Sequence, residues 1–340
     1  MDIPSLAQST GSQYVDRLLR GIAGIYAQIF PTRIGAVYIM GSYADESAVP
    51  LSDIDLCILF KDVVATEEKE QAQTLAYFCG QLSSIRLDIS VAGENDLSVA
   101  ERIMLKQGSL LINGEDMRDH ILLPSLDDYR KYVTWGPYRF LGQIIRDCLV
   151  LSYPLTYPDN ESEFYGYERK RIPEWYEWYS PEIDRGTKEL VTGVLRTATA
   201  MIALKTGQYV GSKHECVQLY RQYIHDEWTD YLEMLYEKGK REWHYLIPTG
   251  SADQLLLRSL CQQTLAFENA YFSLYRTYLL DLLQQTDEGR IFALKRLTEV
   301  VYTDEEMLKT LQVLSHSSIQ EVQQASHHAL ECLQKVINNA

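Results

Sequence analysis

The chain has 340 residues, 46% of them hydrophobic, and a formal net charge of −15 from 32 basic and 47 acidic side chains. That length exceeds one average domain and that apolar share fills a genuine core, so two globular domains with an appendage are expected. The acidic balance speaks against a dedicated binder of long RNA or DNA, because the densest basic stretch, Glu168-Arg169-Lys170-Arg171, is short and flanked by acids. The same charge would concentrate a cationic small molecule, or simply keep the protein soluble. No apolar run is long enough for a transmembrane helix. Met1 to Gln13 is polar and lacks an apolar signal core, so no membrane association and a cytoplasmic location are expected. Cysteines at 57, 79, 148, 216, 261 and 332 form no CxxC pair and sit mostly in apolar stretches, as small hydrophobes do in a reducing compartment.

In chain order, Ser12 to Phe30 carries apolar residues at helical spacing and stops at Pro31. Ile34 to Met40 reads as a strand ending in Gly41-Ser42, and Leu51 to Phe60 as a second strand. A helix over Glu67 to Leu82 leads to a third strand, Ile85 to Val91, whose alternation is strict. A helix over Leu97 to Lys106 and a strand over Ser109 to Ile112 precede the turn at Asn113-Gly114. Beyond, Leu126 to Ser152 looks helical, and Tyr153 to Arg185 is irregular and rich in Tyr, Trp, Pro and Glu. Helices follow near 186–206, 212–223, 227–239 and Ala252 to Leu283, with two or three shorter ones after Asp287. The expected fold class is α+β: an α/β domain with a small mixed sheet over 1–122, an all-α domain over 123–286, and a helical extension over 287–340.

The chemistry-bearing residues converge on the first domain. On a strand, residues i and i+2 share a face, so Asp53 and Asp55 project together while Ile54 and Leu56 enter the core. Two adjacent carboxylates repel unless a cation lies between them, and Mg²⁺ prefers a few carboxylates plus phosphate oxygens. In the third strand Arg86, Asp88 and Ser90 lie on one face, which would bring Asp88 to the same cation or let it take a proton from an attacking hydroxyl. Gly41-Ser42 lets backbone approach a phosphate, with a helix expected to begin at Ser42, and Ser52 can add a hydroxyl contact. Alone, a Gly-Ser is usually a turn and a DxD a solvated strand end; the combination in this order is what carries weight.

The segment MGSYADESAVPLSDIDLCILF closely resembles the pattern of the polymerase-β-like nucleotidyltransferase superfamily. It departs from that pattern in the spacer, where Ala44-Asp45-Glu46-Ser47 stands in place of the usual central glycine. LRTATAMIALKTGQYVGSK, ending at Lys213, is similar to an element of aminoglycoside adenylyltransferases of the streptomycin/spectinomycin type, and Trp178-Tyr179-Ser180-Pro181 resembles another. This resemblance implies an Mg²⁺-dependent transfer of AMP from ATP to a hydroxyl of a small, cationic acceptor. It further implies Asp53, Asp55 and Asp88 as metal ligands, with Asp88 also as general base, shorter than the family's Glu by one methylene. It implies Lys213 on the triphosphate, and Trp178, Asp184 and Glu189 on the acceptor. Adenylylation of a protein or an RNA end, as in toxin-like members, and a catalytically silent scaffold are the alternatives. Arg221 to His225, His214 and the His327-His328 pair lack the partners or spacing that a nuclease or zinc site needs.

Overall fold

The computed structural model describes residues 5–168 and 185–339, which divide into two compact units. One comprises the chain up to Tyr129 together with Gly207–Tyr223; the other comprises Arg130–Thr206 and Ile224 onward. The segment around Lys213, which the sequence reading places in the helical domain, is thus grouped with the first unit.

In the first unit, helix α1 (Gln13–Ile29) starts at Ser12, whose hydroxyl accepts the Val15 N–H. Its apolar face, including Leu19, Ile22 and Tyr26, is buried. Strands β1 (Ile34–Met40), β2 (Ile54–Phe60), β3 (Leu87–Gly93) and β4 (Ser109–Gly114) form one sheet in the order β3-β2-β1-β4. β1 is antiparallel to β2 and β4, and β2 is parallel to β3, with helix α2 (Thr66–Leu82) in the connection between them. The central strands are buried on both faces, which is why β2 reads as a nearly continuous apolar run. One face builds a core from Val37, Ile39, Leu56 and Ile58 with α1 residues; the other builds one from Tyr38, Met40, Cys57 and Leu59 with Leu97 and Leu105. Leu105 belongs to helix α3 (Val99–Gly108), which begins at a reciprocal Ser98/Glu101 capping box. Each fully buried Leu, Ile or Phe here contributes roughly 1.5–3 kcal/mol relative to exposure.

In the second unit, α4 (Leu126–Tyr138), which begins in the first, passes into a wider π-helical turn over Arg139–Ile145. The helix expected to continue to Ser152 is therefore shorter, and Pro137, which cannot donate a backbone hydrogen bond, lies at its end. Leu151–Tyr153 instead forms strand β5, paired in parallel with β6 (Val300–Tyr302). An all-α reading missed this ladder because its partners are remote in sequence and each is three residues long. Helix α5 (Lys188–Thr206) is buried on nearly every side from Leu190 to Ala203. It packs with α7 (Thr229–Leu235) and with the long helix α8 (Ser251–Leu283), whose Phe267, Tyr271, Phe272 and Tyr275 are fully buried. Two of the buried phenols donate to backbone: Tyr271 to the Thr134 carbonyl and Tyr302 to the Phe272 carbonyl, both at 2.8 Å. Beneath them Arg146 meets the fully buried Glu268 at 2.6 Å, and Tyr167 donates to the same oxygen at 2.8 Å. Helices α9 (Asp287–Leu297), α10 (Glu305–Leu314) and α11 (Gln320–Asn339) are grouped with this unit. No described helix is long and apolar enough to cross a membrane.

Candidate active site

At the end of β1 the chain reverses through Gly41, which adopts φ +66° and opens a single 3-10 turn, Gly41–Tyr43. A Cβ built on Gly41 would lie 2.5 Å from Oδ2 of Asp55. Glycine is thus required twice: for the left-handed backbone, and for the space beside the carboxylate. The helix expected from Ser42 is only this one turn. Its continuation is used up by the spacer, where Ala44 and Asp45 donate to the Gly41 carbonyl and Ser47 donates to that of Ser42. Asp45 clasps the bend by accepting from the Ser47 N–H at 3.2 Å and its hydroxyl at 2.5 Å. Glu46 takes the left-handed conformation, φ +58°, within the four-residue stretch that stands where the superfamily pattern has glycine.

β2 starts at Ile54 rather than Leu51 because the preceding residues form a turn. The buried Ser52 hydroxyl accepts the Val49 N–H at 2.9 Å, and the Ser52 N–H donates to the Val49 carbonyl at 2.8 Å. Ser52 therefore shapes the approach to the carboxylates. Asp55 is paired with Met40 on β1 and, in parallel register, with Asp88 on β3. Paired positions in a sheet project to one face, so Asp55 and Asp88 stand side by side about 4.8 Å apart at the backbone. Asp53, two residues earlier, acts electrostatically on both Asp88 and Tyr43. Desolvation by the surrounding sheet end raises the Asp88 carboxyl above its ordinary value although the residue is exposed at the surface; the Arg86 charge opposes this and the Asp53 charge adds to it. The Tyr43 phenol is likewise raised, by burial and then by Asp53. Tyr43 is not named in the sequence reading, and Arg86 is named there only as sharing a strand face with Asp88. Adjacency to Gly41-Ser42 and the i, i+2 relation to Asp88 are the signals that mark them.

Among the described residues, no group of three or more His, Cys, Asp or Glu side chains is arranged to hold a metal ion by itself. Asp53, Asp55 and Asp88 share a region without closing a three-carboxylate cage. What the fold does supply is a hard-oxygen donor set with the side-chain-free cradle of Gly41 against Asp55, which fits a cation completed by ligands from a bound phosphate.

The same end of the sheet extends across β1. Met40 also pairs with Ser109, and Gly108 just before it approaches Gly211: a Cβ on Gly211 would lie 3.1 Å from that of Gln107. Helix α6 (Lys213–Tyr223) starts there, so the row Asp88, Asp55, Met40-Gly41, Ser109 and then the start of α6 lies along one edge. Three strand spacings of about 4.8 Å make the row from Asp88 to Ser109 roughly 14 Å long. Glu189 is half-buried in the first turn of α5, in the second unit. Trp178 and Asp184 lie outside the described residues.

Comparison with known proteins matches residues 27–116 to the family described as Polymerase beta, Nucleotidyltransferase. No curated protein matches the sequence significantly. Among solved structures, spectinomycin adenyltransferase AAD(9) from Enterococcus faecialis, solved with ATP and spectinomycin, is similar at a TM-score of 0.42 and 12% identity. That similarity covers 75% of this chain and 100% of that one. A toxin-antitoxin solved with AMP-PNP is similar at a TM-score of 0.25 and 15% identity, over 35% of this chain and 90% of that one.

Proposed function

We propose, from the match of residues 27–116 to the nucleotidyltransferase family, that the protein transfers AMP from ATP to a hydroxyl of a small, cationic acceptor of the aminoglycoside kind. The observation that carries this reading is the register that sets Asp55 beside Asp88, with Gly41 folded against Asp55. Asp53 and Asp55 would hold Mg²⁺, with Asp88 alongside, and the ion would supply charge neutralisation of the triphosphate during in-line displacement. Backbone at Gly41 and Ser42 approaches the phosphates, Ser52 holds the carboxylate-bearing strand entrance in shape, and Lys213 steadies the triphosphate as a point charge. Asp88 accepts the proton of the acceptor hydroxyl as the new O–P bond forms at the α-phosphorus. The α–β bridge breaks and pyrophosphate leaves. A carboxyl ionising above the ordinary range is a better proton acceptor than an unperturbed one. Trp178, Asp184 and Glu189 are assigned to the acceptor, and the net charge of −15 favours a cationic one.

The test is pyrophosphate release on incubation with MgATP and a panel of streptomycin, spectinomycin and other aminoglycosides, with Asp55→Asn as control. Release by the wild type with at least one acceptor, reduced by about 10³-fold in Asp55→Asn, is expected for loss of a metal-binding carboxylate. No release with any panel member removes the aminoglycoside assignment. Failure of the wild type to bind ATP in a magnesium-dependent way removes the whole reading.

A further inference from the structure

Lys213 opens a helix whose first turn is fastened by an unusually local set of bonds. Glu215 Oε2 accepts the Gly211 N–H at 2.6 Å, and the Ser212 hydroxyl accepts the Glu215 N–H at 3.1 Å. Lys213 is thus enclosed in a reciprocal clasp, a capping box displaced by one residue so that it grips Gly211. The segment leading in is also tied down. Val210 donates to the hydroxyl of the buried Tyr129 at 3.0 Å, and Tyr209 packs its ring against Tyr129 at 4.7 Å while donating to the Pro124 carbonyl at 2.7 Å. Gly211 itself is pressed against the end of α3, with its Cβ position only 3.1 Å from Gln107 and 3.5 Å from the Gly108 nitrogen. That junction leads directly into Ser109, the partner of Met40 and hence the neighbour of Gly41.

We infer that Glu215 is a positioning residue for nucleotide binding, holding Lys213 at the phosphate end of the sheet before ATP arrives. The inference rests on the reading of Lys213 given above. Pre-ordering a lysine removes part of the entropy lost when its long side chain settles on a phosphate. The carboxylate of Glu215 does this at the backbone, one residue on the far side of Ser212, without touching the nucleotide. The Gly211 N–H would otherwise be a loose donor at the start of a helix, and the Lys213 backbone would follow it.

The experiment measures the affinity of the full chain for Mg²⁺ and a non-hydrolysable ATP analogue by calorimetry. Wild type is compared with Glu215→Ala, Glu215→Gln, Lys213→Met and the Lys213→Met/Glu215→Ala double variant. Glu215→Ala is expected to weaken binding about tenfold, and Glu215→Gln, whose amide oxygen still accepts the Gly211 N–H, to stay within about twofold. In the Lys213→Met background, Glu215→Ala is expected to add less than about twofold, because its effect passes through the lysine. Additive losses in the double variant, or an unchanged affinity in Glu215→Ala while Lys213→Met is impaired, overturn the inference. An unchanged affinity in Lys213→Met overturns it together with the role of Lys213, whereas the carboxylate reading is judged separately by Asp55→Asn.

Discussion

Replacing Gly41 by alanine tests the site at its tightest point. The substitution forces an L side chain into φ +66° and puts its Cβ 2.5 Å from Asp55 Oδ2. A left-handed backbone costs about 1–2 kcal/mol for such a residue. Driving the Asp55 side chain off its rotamer costs about 0.5–1.5 kcal/mol more. The expected destabilisation is therefore about 1.5–3.5 kcal/mol, read from urea denaturation of the metal-free protein. Restoring an ordinary contact of 3.4 Å requires the carboxylate oxygen to retreat by about 0.9 Å, the difference from 2.5 Å. A displacement of about 1 Å in a positioned group can cost ~10²-fold in rate. Pyrophosphate release should fall by about that factor, and magnesium-dependent ATP binding should weaken in parallel. A Gly41→Ala protein that loses less than about 0.5 kcal/mol and retains the wild-type rate would refute the argument that Gly41 is fixed by its contact with Asp55.

Four other substitutions follow from the geometry. The folded protein keeps the Asp88 proton to higher pH than the unfolded chain, whose carboxyl ionises near 3.8. Folded molecules therefore bind more protons above that pH, and the stability contribution of Asp88 declines as pH rises through its folded value. Asp88→Asn removes the decline, so in the presence of a chelator its stability relative to wild type should increase from pH ~4 to pH ~7; a gap that does not change with pH contradicts this. Glu46→Gly relieves a left-handed conformation in the spacer and should raise stability by about 0.5–1 kcal/mol after the added chain entropy of glycine is discounted. A loss of stability on thermal melting would show that the Glu46 side chain has a stabilising role. In the second unit, Arg146→Met strands the fully buried Glu268 without its cation and should cost about 3–5 kcal/mol. Changing Glu268→Leu as well should recover most of that loss in the same denaturation assay, and a double variant no better than the single one would point to packing rather than charge.

Much of the first unit was legible because alternation and burial agree there. In the third strand the apolar residues Leu87, Ile89 and Val91 face one way, so Asp88 faces the other, and the parallel register sets it beside Asp55. The apolar run from Leu56 to Phe60 signalled a strand buried on both faces, and it is. The start of that strand was misplaced because Ser52 spends its hydroxyl on the Val49 N–H, a local bond that no periodicity announces. The spacer was legible as a departure but not as a shape, since nothing in Ala44-Asp45-Glu46-Ser47 tells which residue accepts the left-handed conformation. Periodicity alone puts Leu151 and Ser152 in a helix and Tyr153 in an irregular stretch, because these three residues carry no period of their own, and their strand identity comes entirely from Val300–Tyr302. The placement of the Lys213 segment in the first unit depends on Tyr129 and Pro124, contacts that lie far from it in sequence.

The parallel union of β2 and β3 also has a consequence for how the molecule comes into being. A tight hairpin cannot join two strands running the same way, so the chain has to cross the sheet through α2 for residue 88 to lie beside residue 55. Asp53 and Asp55, close in sequence, are neighbours from the moment they are synthesised; Asp88 joins them only once the crossover is finished. A nascent chain therefore presents Asp53 and Asp55 before Asp88 is synthesised, and the third carboxylate reaches them only through a pairing across more than thirty residues of sequence.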